Sequence, residues 1–336
     1  MPSFCRHNRF VQNCPICSRE QEAELRQVVS SGSAKPPRQS SGRSGQARSK
    51  PMQVRRLARG ADDGFHSPLV PGLKSSADAE RLAEELAFAA GRLARLESDP
   101  PGAYAEVAKS AGAETGSGPA HPELEGGSGD LEERTWLAFL IAYIGPLNGE
   151  DPFAGIDAAR TSWSSGENPD LDGVPLGPRT AHDPARGTRT IDAYRAWAAR
   201  SGSQAAAIGS DPSWSAERRF ARAFERLALP GLHRDARFDL LVTLGRLGVY
   251  DLRAGSLELG GANETTIAAK RALGIGDTIL LGRRAADLVV AAKLPLEALD
   301  LGLYNWGVGT RATMGLEPTA EPDPAALESA LAALGL

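Results

Sequence analysis

The 336-residue chain has three cysteines, three methionines and five histidines, and only 6% of it is aromatic. All three cysteines fall within the first 17 residues, so no disulfide framework is available to the body. Long hydrophobic runs are also lacking. The longest, Leu137 to Ile144, is far shorter than the roughly 20 residues of a membrane-spanning helix. No basic-then-apolar signal segment opens the sequence, and a cytoplasmic protein is expected, with the nucleoid as a further location. Strand-like alternation is scarce and no repeat of fixed period recurs. With 41% hydrophobic and 24% charged residues, the composition is that of an ordinary globular protein with one large core or two small ones.

Charge is present but unevenly placed. The first 60 residues hold 12 Lys and Arg against 3 Asp and Glu, and the remainder holds 26 against 39. A basic head of +9 therefore precedes a body of −13. A basic arm suits a polyanionic partner, or it serves only as a solubilising tail. A body this acidic cannot hold DNA by bulk charge and needs local devices that bind phosphate.

The head carries Cys5-Arg6-His7, six residues, then Cys14-Pro15-Ile16-Cys17. Two close pairs of soft ligands joined by a short loop predict a tetrahedral structural zinc site made by Cys5, His7, Cys14 and Cys17. Four protein ligands close the coordination sphere, which argues against a catalytic metal. A redox Cys-x-x-Cys pair is the competing account, and it leaves His7 without a role. Elsewhere His182 and His233 are isolated, with no spaced partner for a second metal.

Residues 1–28 are thus expected to form a zinc-knuckle module and 29–64 a flexible, disordered basic linker rich in Ser, Gly, Pro, Arg and Lys. Residues 65–129 read as a helical extension. Its helix follows Ser75-Ser76, shows Leu82, Leu86, Ala89, Leu93 and Leu96 on one face, and ends at Asp99-Pro100-Pro101 before a Gly/Ser-rich break. The main helical domain is placed at 130–310. It begins with an almost wholly apolar, buried central helix over Leu131–Ile144, stopped by Gly145-Pro146. A long polar surface loop is expected from Thr161 to Arg189, then helices carrying Ile191, Tyr194 and Trp197, and Phe220, Phe224 and Leu227, the latter capped by Asp211-Pro212. Further helical runs cover Leu240–Leu247, Ile267–Leu273 and Ile279–Val290, and a short helix starts at Pro295. Residues 311–336 complete the chain as a C-terminal helix and tail.

Two tight turns join pairs of these helices: Leu229-Pro230-Gly231-Leu232-His233-Arg234-Asp235-Ala236 and Leu273-Gly274-Ile275-Gly276-Asp277. A Gly-hydrophobic-Gly turn presents backbone N–H groups at the start of its second helix, where the macrodipole also favours an anion. The second turn has both glycines, and Asp277 can cap the helix that follows. The first has His233 in place of the second glycine. Either turn also reads as a plain helix connection with a glycine C-cap.

Taken in order, the run Trp136–Ile144, then Pro146-Leu147-Asn148-Gly149-Glu150-Asp151-Pro152-Phe153, Leu229-Pro230-Gly231, Lys270-Arg271-Ala272-Leu273-Gly274-Ile275-Gly276-Asp277 and Asn305-Trp306-Gly307 resembles the alpha-glutamyl/putrescinyl thymine pyrophosphorylases, clade 3. The likeness spans about residues 130–310 and rests on the order of segments more than on one motif. It implies a mostly α fold, a helix-hairpin-helix DNA glycosylase-like helical domain. It also implies a DNA base-hypermodifying transferase, in which pyrophosphate on an activated hydroxymethyl-uracil in DNA is replaced by an amine or amino acid. A helix-hairpin-helix DNA glycosylase or lyase and a non-catalytic DNA-binding adaptor are the alternatives.

Such a reaction needs an everted base, cations or N–H donors for the leaving pyrophosphate, and a base for the amine. Lys270 is a candidate catalytic cation, or the nucleophile in the lyase alternative. Asp251 and Asp300 each stand about one helix and a loop beyond a turn, where helix-hairpin-helix glycosylases carry an acid, and the sequence does not choose between them. Apolar neighbours of Asp300 would raise its pKa towards that of a useful base. Asn305 offers an amide to a pyrimidine edge. Gly231, Arg234, Arg237, Arg271, Gly274, Gly276 and Asp277 are the expected DNA or phosphate contacts. Asn148, Glu150, Asp151, Tyr304 and Trp306 are the expected base and amine pocket, against the ordinary reading of the two aromatics as core. The implied partners are DNA and a small amine or amino-acid co-substrate, with no membrane.

Overall fold

A computed structural model describes residues 60–108, 128–209 and 211–336. These residues form twelve α-helices and no strand. The mostly helical expectation holds at that level. The zinc ligands Cys5, His7, Cys14 and Cys17, the knuckle and nearly all of the linker lie outside the described residues.

Helix α1 is Ser76–Ser98, with the Ser75 hydroxyl accepting from the Asp78 amide. The Asp63 carboxylate adds a second cap, accepting from the Ser76 amide at 3.0 Å and from the Ser76 hydroxyl. The five apolar residues that predict this helix, Leu82, Leu86, Ala89, Leu93 and Leu96, are all buried. The helix α2, Ala103–Ala108, leads to the central helix α3, Ser128–Ile144. Trp136 to Ile144 are buried along its length, and Phe139 stacks on Tyr143 at 5.5 Å and on Tyr194 at 3.8 Å. Gly145, at φ +77, closes the helix in the left-handed region that glycine tolerates.

After the short α4, Ala154–Ala158, the chain crosses the polar stretch expected to lie on the surface. Ser164 to Asn168 are indeed exposed, but the end of the stretch turns inward. The Gly177 amide donates to Ile144 O and the Ala181 amide to Tyr143 O, which draws Arg179, Ala181 and His182 into the body. The expectation fails there because the C-terminus of α3 leaves carbonyls without helical partners, and this segment supplies the donors.

Helices α5 (Arg189–Arg200), α6 (Gln204–Ile208) and α7 (Ala216–Arg226) follow. The cap of α7 is Ser215, not the Asp211 expected from sequence. Asp211 instead accepts from the Ser213 amide within a turn of its own. Both interhelical turns are present. Leu229–His233 joins α7 to α8 (Arg234–Arg246), and Gly274–Asp277 joins α9 (Glu264–Leu273) to α10 (Thr278–Ala292). Helix α11, expected as a short helix from Pro295, covers the thirteen residues Leu296–Val308, and α12 covers Pro324–Leu334.

Helix α1 packs along both α11 and α12, and α3 packs on α8. At the first of these contacts Gly302 lies directly on Leu86. A Cβ on Gly302 would come within 2.7 Å of Leu86 Cδ2 and 3.1 Å of its Cα. The stretch read from sequence as an extension therefore supplies one face of the same core that holds α11. No helix among the described residues is long and apolar enough to cross a membrane.

Candidate functional site

Five ionisable side chains converge where α8 begins, α11 passes and the inward segment after Gly177 enters. Arg179, only 1% exposed, donates from Nε to Asp239 Oδ2 at 2.8 Å and from Nη2 to Asp239 Oδ1 at 3.1 Å and Asp300 Oδ1 at 2.8 Å. Arg234 donates from Nη1 to Asp235 Oδ1 at 3.0 Å and to Asp300 Oδ2, and its Nη2 reaches the Leu257 carbonyl. Asp300 is thus the hub, held by one arginine on each carboxylate oxygen. The Arg179 guanidinium lies 4.5 Å from the centre of the Tyr304 ring, and Tyr304 Oη donates to Pro178 O at 2.6 Å.

The local folding explains the convergence. Asp235 and Asp239 are four residues apart and share a face of α8. Arg234 opens that helix, and the turn before it is pressed on Thr190. Gly231 has φ +83, and a Cβ there would lie 2.1 Å from Thr190 Oγ1. Arg179 is fixed from the other side, because His233 Nε2 donates to the Thr180 carbonyl at 3.0 Å.

Three carboxylates against two guanidiniums leave this buried cluster with one excess negative charge when every group is ionised. Burial pushes the Asp300 carboxyl above its ordinary range, and Asp235 and Asp239 add to the rise against the opposing pull of Arg234 and Arg179. At Asp235 burial also raises, but Arg179 and Arg234 outweigh it and hold the carboxyl low. Arg179 Nη1 is buried with no acceptor. The arrangement sets two fixed positive charges beside a buried carboxylate whose affinity for a proton is raised by burial. A buried network of this kind costs several kcal/mol of desolvation per ion, so it is a poor choice for stability alone.

Of the residues singled out by sequence, Arg234, Asp300 and Tyr304 come together here. Arg179, Asp235 and Asp239 were missed. Their signal was an acid at positions 235 and 239 inside the apolar run of α8, and an arginine set between Pro178 and Thr180 in the stretch expected to be a polar surface loop.

The other candidates lie elsewhere. Asp251 is largely exposed and pairs with Arg219 at 2.5 Å. Asn305 is buried: its Nδ2 donates to Glu85 Oε2 at 3.0 Å and its Oδ1 accepts from the Ala312 amide at 2.9 Å. Trp306 is 1% exposed and donates to Asp78 O. Arg271 covers its ring at 4.7 Å, and Lys270 is half-buried one residue earlier on α9. Arg237 donates to Phe224 O at 3.1 Å and lies over the Phe224 ring. Asn148 is bound to the segment after α11, giving to Arg311 O at 2.7 Å and accepting from the Thr313 amide at 2.9 Å, while Glu150 and Asp151 are exposed.

The two turns differ in what they offer an anion. Gly274 and Gly276 are exposed, with Gly274 at φ +66, but the Asp277 carboxylate already takes the amides of Ile279 and Leu280 at 3.0 Å each. At the first turn the side chain of His233 makes no cap, but the leading residues of α8, Arg234, Asp235 and Ala236, are buried. Among the described residues no group of three or more His, Cys, Asp or Glu is placed to hold a metal ion. No family model matches the chain, and neither a curated protein nor a solved structure does.

Proposed function

We propose that the protein is a DNA base-hypermodifying transferase, built on a helix-hairpin-helix glycosylase-like body. It replaces pyrophosphate on an activated hydroxymethyl-uracil with an amine or amino acid. The observation that carries this reading is Asp300, one of two acids that the sequence left open, which is the hub of a buried cluster with Arg179 and Arg234. In the reaction the amine nitrogen forms a bond to the base's methylene carbon while the bond from that carbon to the pyrophosphate oxygen breaks. The amine loses a proton and pyrophosphate departs with its electron pair. That chemistry asks for a proton acceptor and for positive charge near the leaving group. The cluster holds both kinds of group within hydrogen-bond distance.

In this account the knuckle of Cys5, His7, Cys14 and Cys17 holds a structural zinc, and the basic linker adds a sequence-independent hold on DNA.

Nucleoside mass spectrometry tests the proposal. The zinc-loaded full chain is incubated with plain DNA and with DNA carrying pyrophosphorylated hydroxymethyl-uracil, plus amino acids and polyamines. A mass change equal to pyrophosphate exchanged for an amine is the expected result. A free base with an abasic site means a glycosylase instead, and DNA bound with every nucleoside unchanged means an adaptor.

A further inference from the structure

We propose a second ligand site, for a small amino-acid zwitterion, in the cavity between α1 and the segment that joins α11 to α12. The cavity has a volume of about 480 Å³, and its walls include Phe88, Arg92 and Arg95 of α1 and Leu316, Glu317 and Glu321 of the facing segment. Arg92, one of its lining residues, has no carboxylate at ion-pair distance among the described residues. Arg92 is 4% exposed, yet it meets only neutral groups: Nε donates to the Met314 carbonyl at 3.3 Å and Nη2 to Tyr104 Oη at 3.2 Å, with the guanidinium 5.7 Å from the Tyr104 ring centre. Nη1 has no acceptor among the described residues.

The contrast with the body's other deeply buried arginines gives this weight. Arg179 and Arg234 each have two carboxylates at hydrogen-bond distance, as a guanidinium removed from water requires. Arg92 has none, and it opens on a cavity rather than on packed core. A carboxylate entering that cavity supplies the missing partner and can accept from the free Nη1.

The opposite wall decides between a simple anion and a zwitterion. Glu317 and Glu321 are exposed and pair with no cation among the described residues. They repel phosphate or a dicarboxylate, and they suit an ammonium group. Pro101, Leu316 and Ala320 add apolar surface, which suits a short hydrocarbon part. The lining carries both signs, Arg92 and Arg95 on α1 and Glu317, Glu321 and Asp323 facing them; Arg95 is paired with Asp99 and Asp323 caps α12, which leaves Arg92 and the two glutamates to meet the carboxylate and the ammonium of an α-amino acid. The site is separate from the Asp300 cluster, and the inference stands or falls on binding alone, whatever the protein does to DNA.

Calorimetric titration of the full chain tests it. The probes are L-alanine, L-leucine and L-glutamate as zwitterions, propanoate and propylamine as half-charged controls, and inorganic phosphate. Saturable binding of at least one amino acid, tighter than propanoate, propylamine and phosphate, is expected. Arg92→Gln should weaken it about tenfold or more. The double change Glu317→Gln and Glu321→Gln alters only exposed side chains and so leaves folding intact. It should weaken the amino acid several-fold and leave propanoate unchanged. The proposal is overturned if no amino acid binds the unaltered chain at concentrations up to about 10 mM, an affinity near the weak limit of specific recognition. It is overturned equally if phosphate or propanoate binds as well as the amino acid, or if the double glutamate variant binds the amino acid as tightly as the original.

Discussion

Asp300 takes one guanidinium on each oxygen, so its replacement does more than remove a charge. In Asp300→Asn the amide keeps one acceptor and presents N–H groups to an arginine, leaving Arg179 or Arg234 buried and under-satisfied. Breaking a buried pair in this way costs about 3–5 kcal/mol, and urea unfolding should show a midpoint lowered to match. A loss under about 1 kcal/mol would mean that water reaches the cluster and screens it. His182 gives a second test at this scale. It is buried with Nδ1 3.0 Å from Tyr143 Oη, and burial holds its pKa below the ordinary 6.5 against the pull of Asp183. A histidine whose folded pKa is depressed favours folding above its unfolded value. That contribution is lost as pH falls through about 6.5 towards the lower folded value, because the unfolded chain takes the proton first. Stability should therefore fall on going from about pH 7.5 to 5.5, and His182→Gln should flatten the fall in paired urea titrations. An equal slope in both proteins would remove His182 from the account. At this scale the sequence named Asp300, an acid among leucines, as a candidate beside Asp251 and did not choose between them. It did not show Arg179, because the segment that buries it has the composition of a loop and is drawn in by backbone donors, which composition does not report.

Helices were the most legible part of the chain. The period of Leu82, Leu86, Ala89, Leu93 and Leu96 matched the buried face of α1, and Asp277 capped α10 as its position before an apolar run predicts. The cap of α7 was misplaced. Asp211-Pro212 satisfies the same local rule as Ser215, and only the position of the first buried turn, at Phe220, separates them. Register between helices was not legible, because it depends on close approaches that no single helix encodes. The contact of α11 on α1 is one: Gly302 admits Leu86 only because it lacks a Cβ. Gly302→Ala must push the two helices apart or displace Leu86, at a cost of about 1–3 kcal/mol, whereas helix propensity alone would favour alanine by up to about 1 kcal/mol. A lowered melting temperature is the expected outcome, and a raised one would show that the two helices do not meet at this residue.

For the whole molecule, the sequence separated a basic, cysteine-bearing head from an acidic helical body. It drew an internal boundary near residue 130 that the packing of α1 on α11 does not respect. A Gly/Ser-rich stretch reads as a boundary, but it says nothing about whether the elements on either side share a core. The head makes its own prediction. The purified chain should carry about one zinc, and Cys14→Ser with Cys17→Ser should release it. Unchanged metal content in that variant would refute the four-ligand knuckle. In the function proposed above, the acidic body has to act on DNA through placed groups rather than overall charge. The most direct measurement is therefore the nucleoside mass spectrum of DNA carrying pyrophosphorylated hydroxymethyl-uracil, after incubation with an amine pool and either the original protein or Asp300→Asn at matched folded fraction. An amine-for-pyrophosphate mass change is expected with the original protein, and a rate lower by about 10²-fold or more in the variant, the scale of losing a general base. DNA that is bound by the original protein and returned with every nucleoside unchanged would contradict the proposed function.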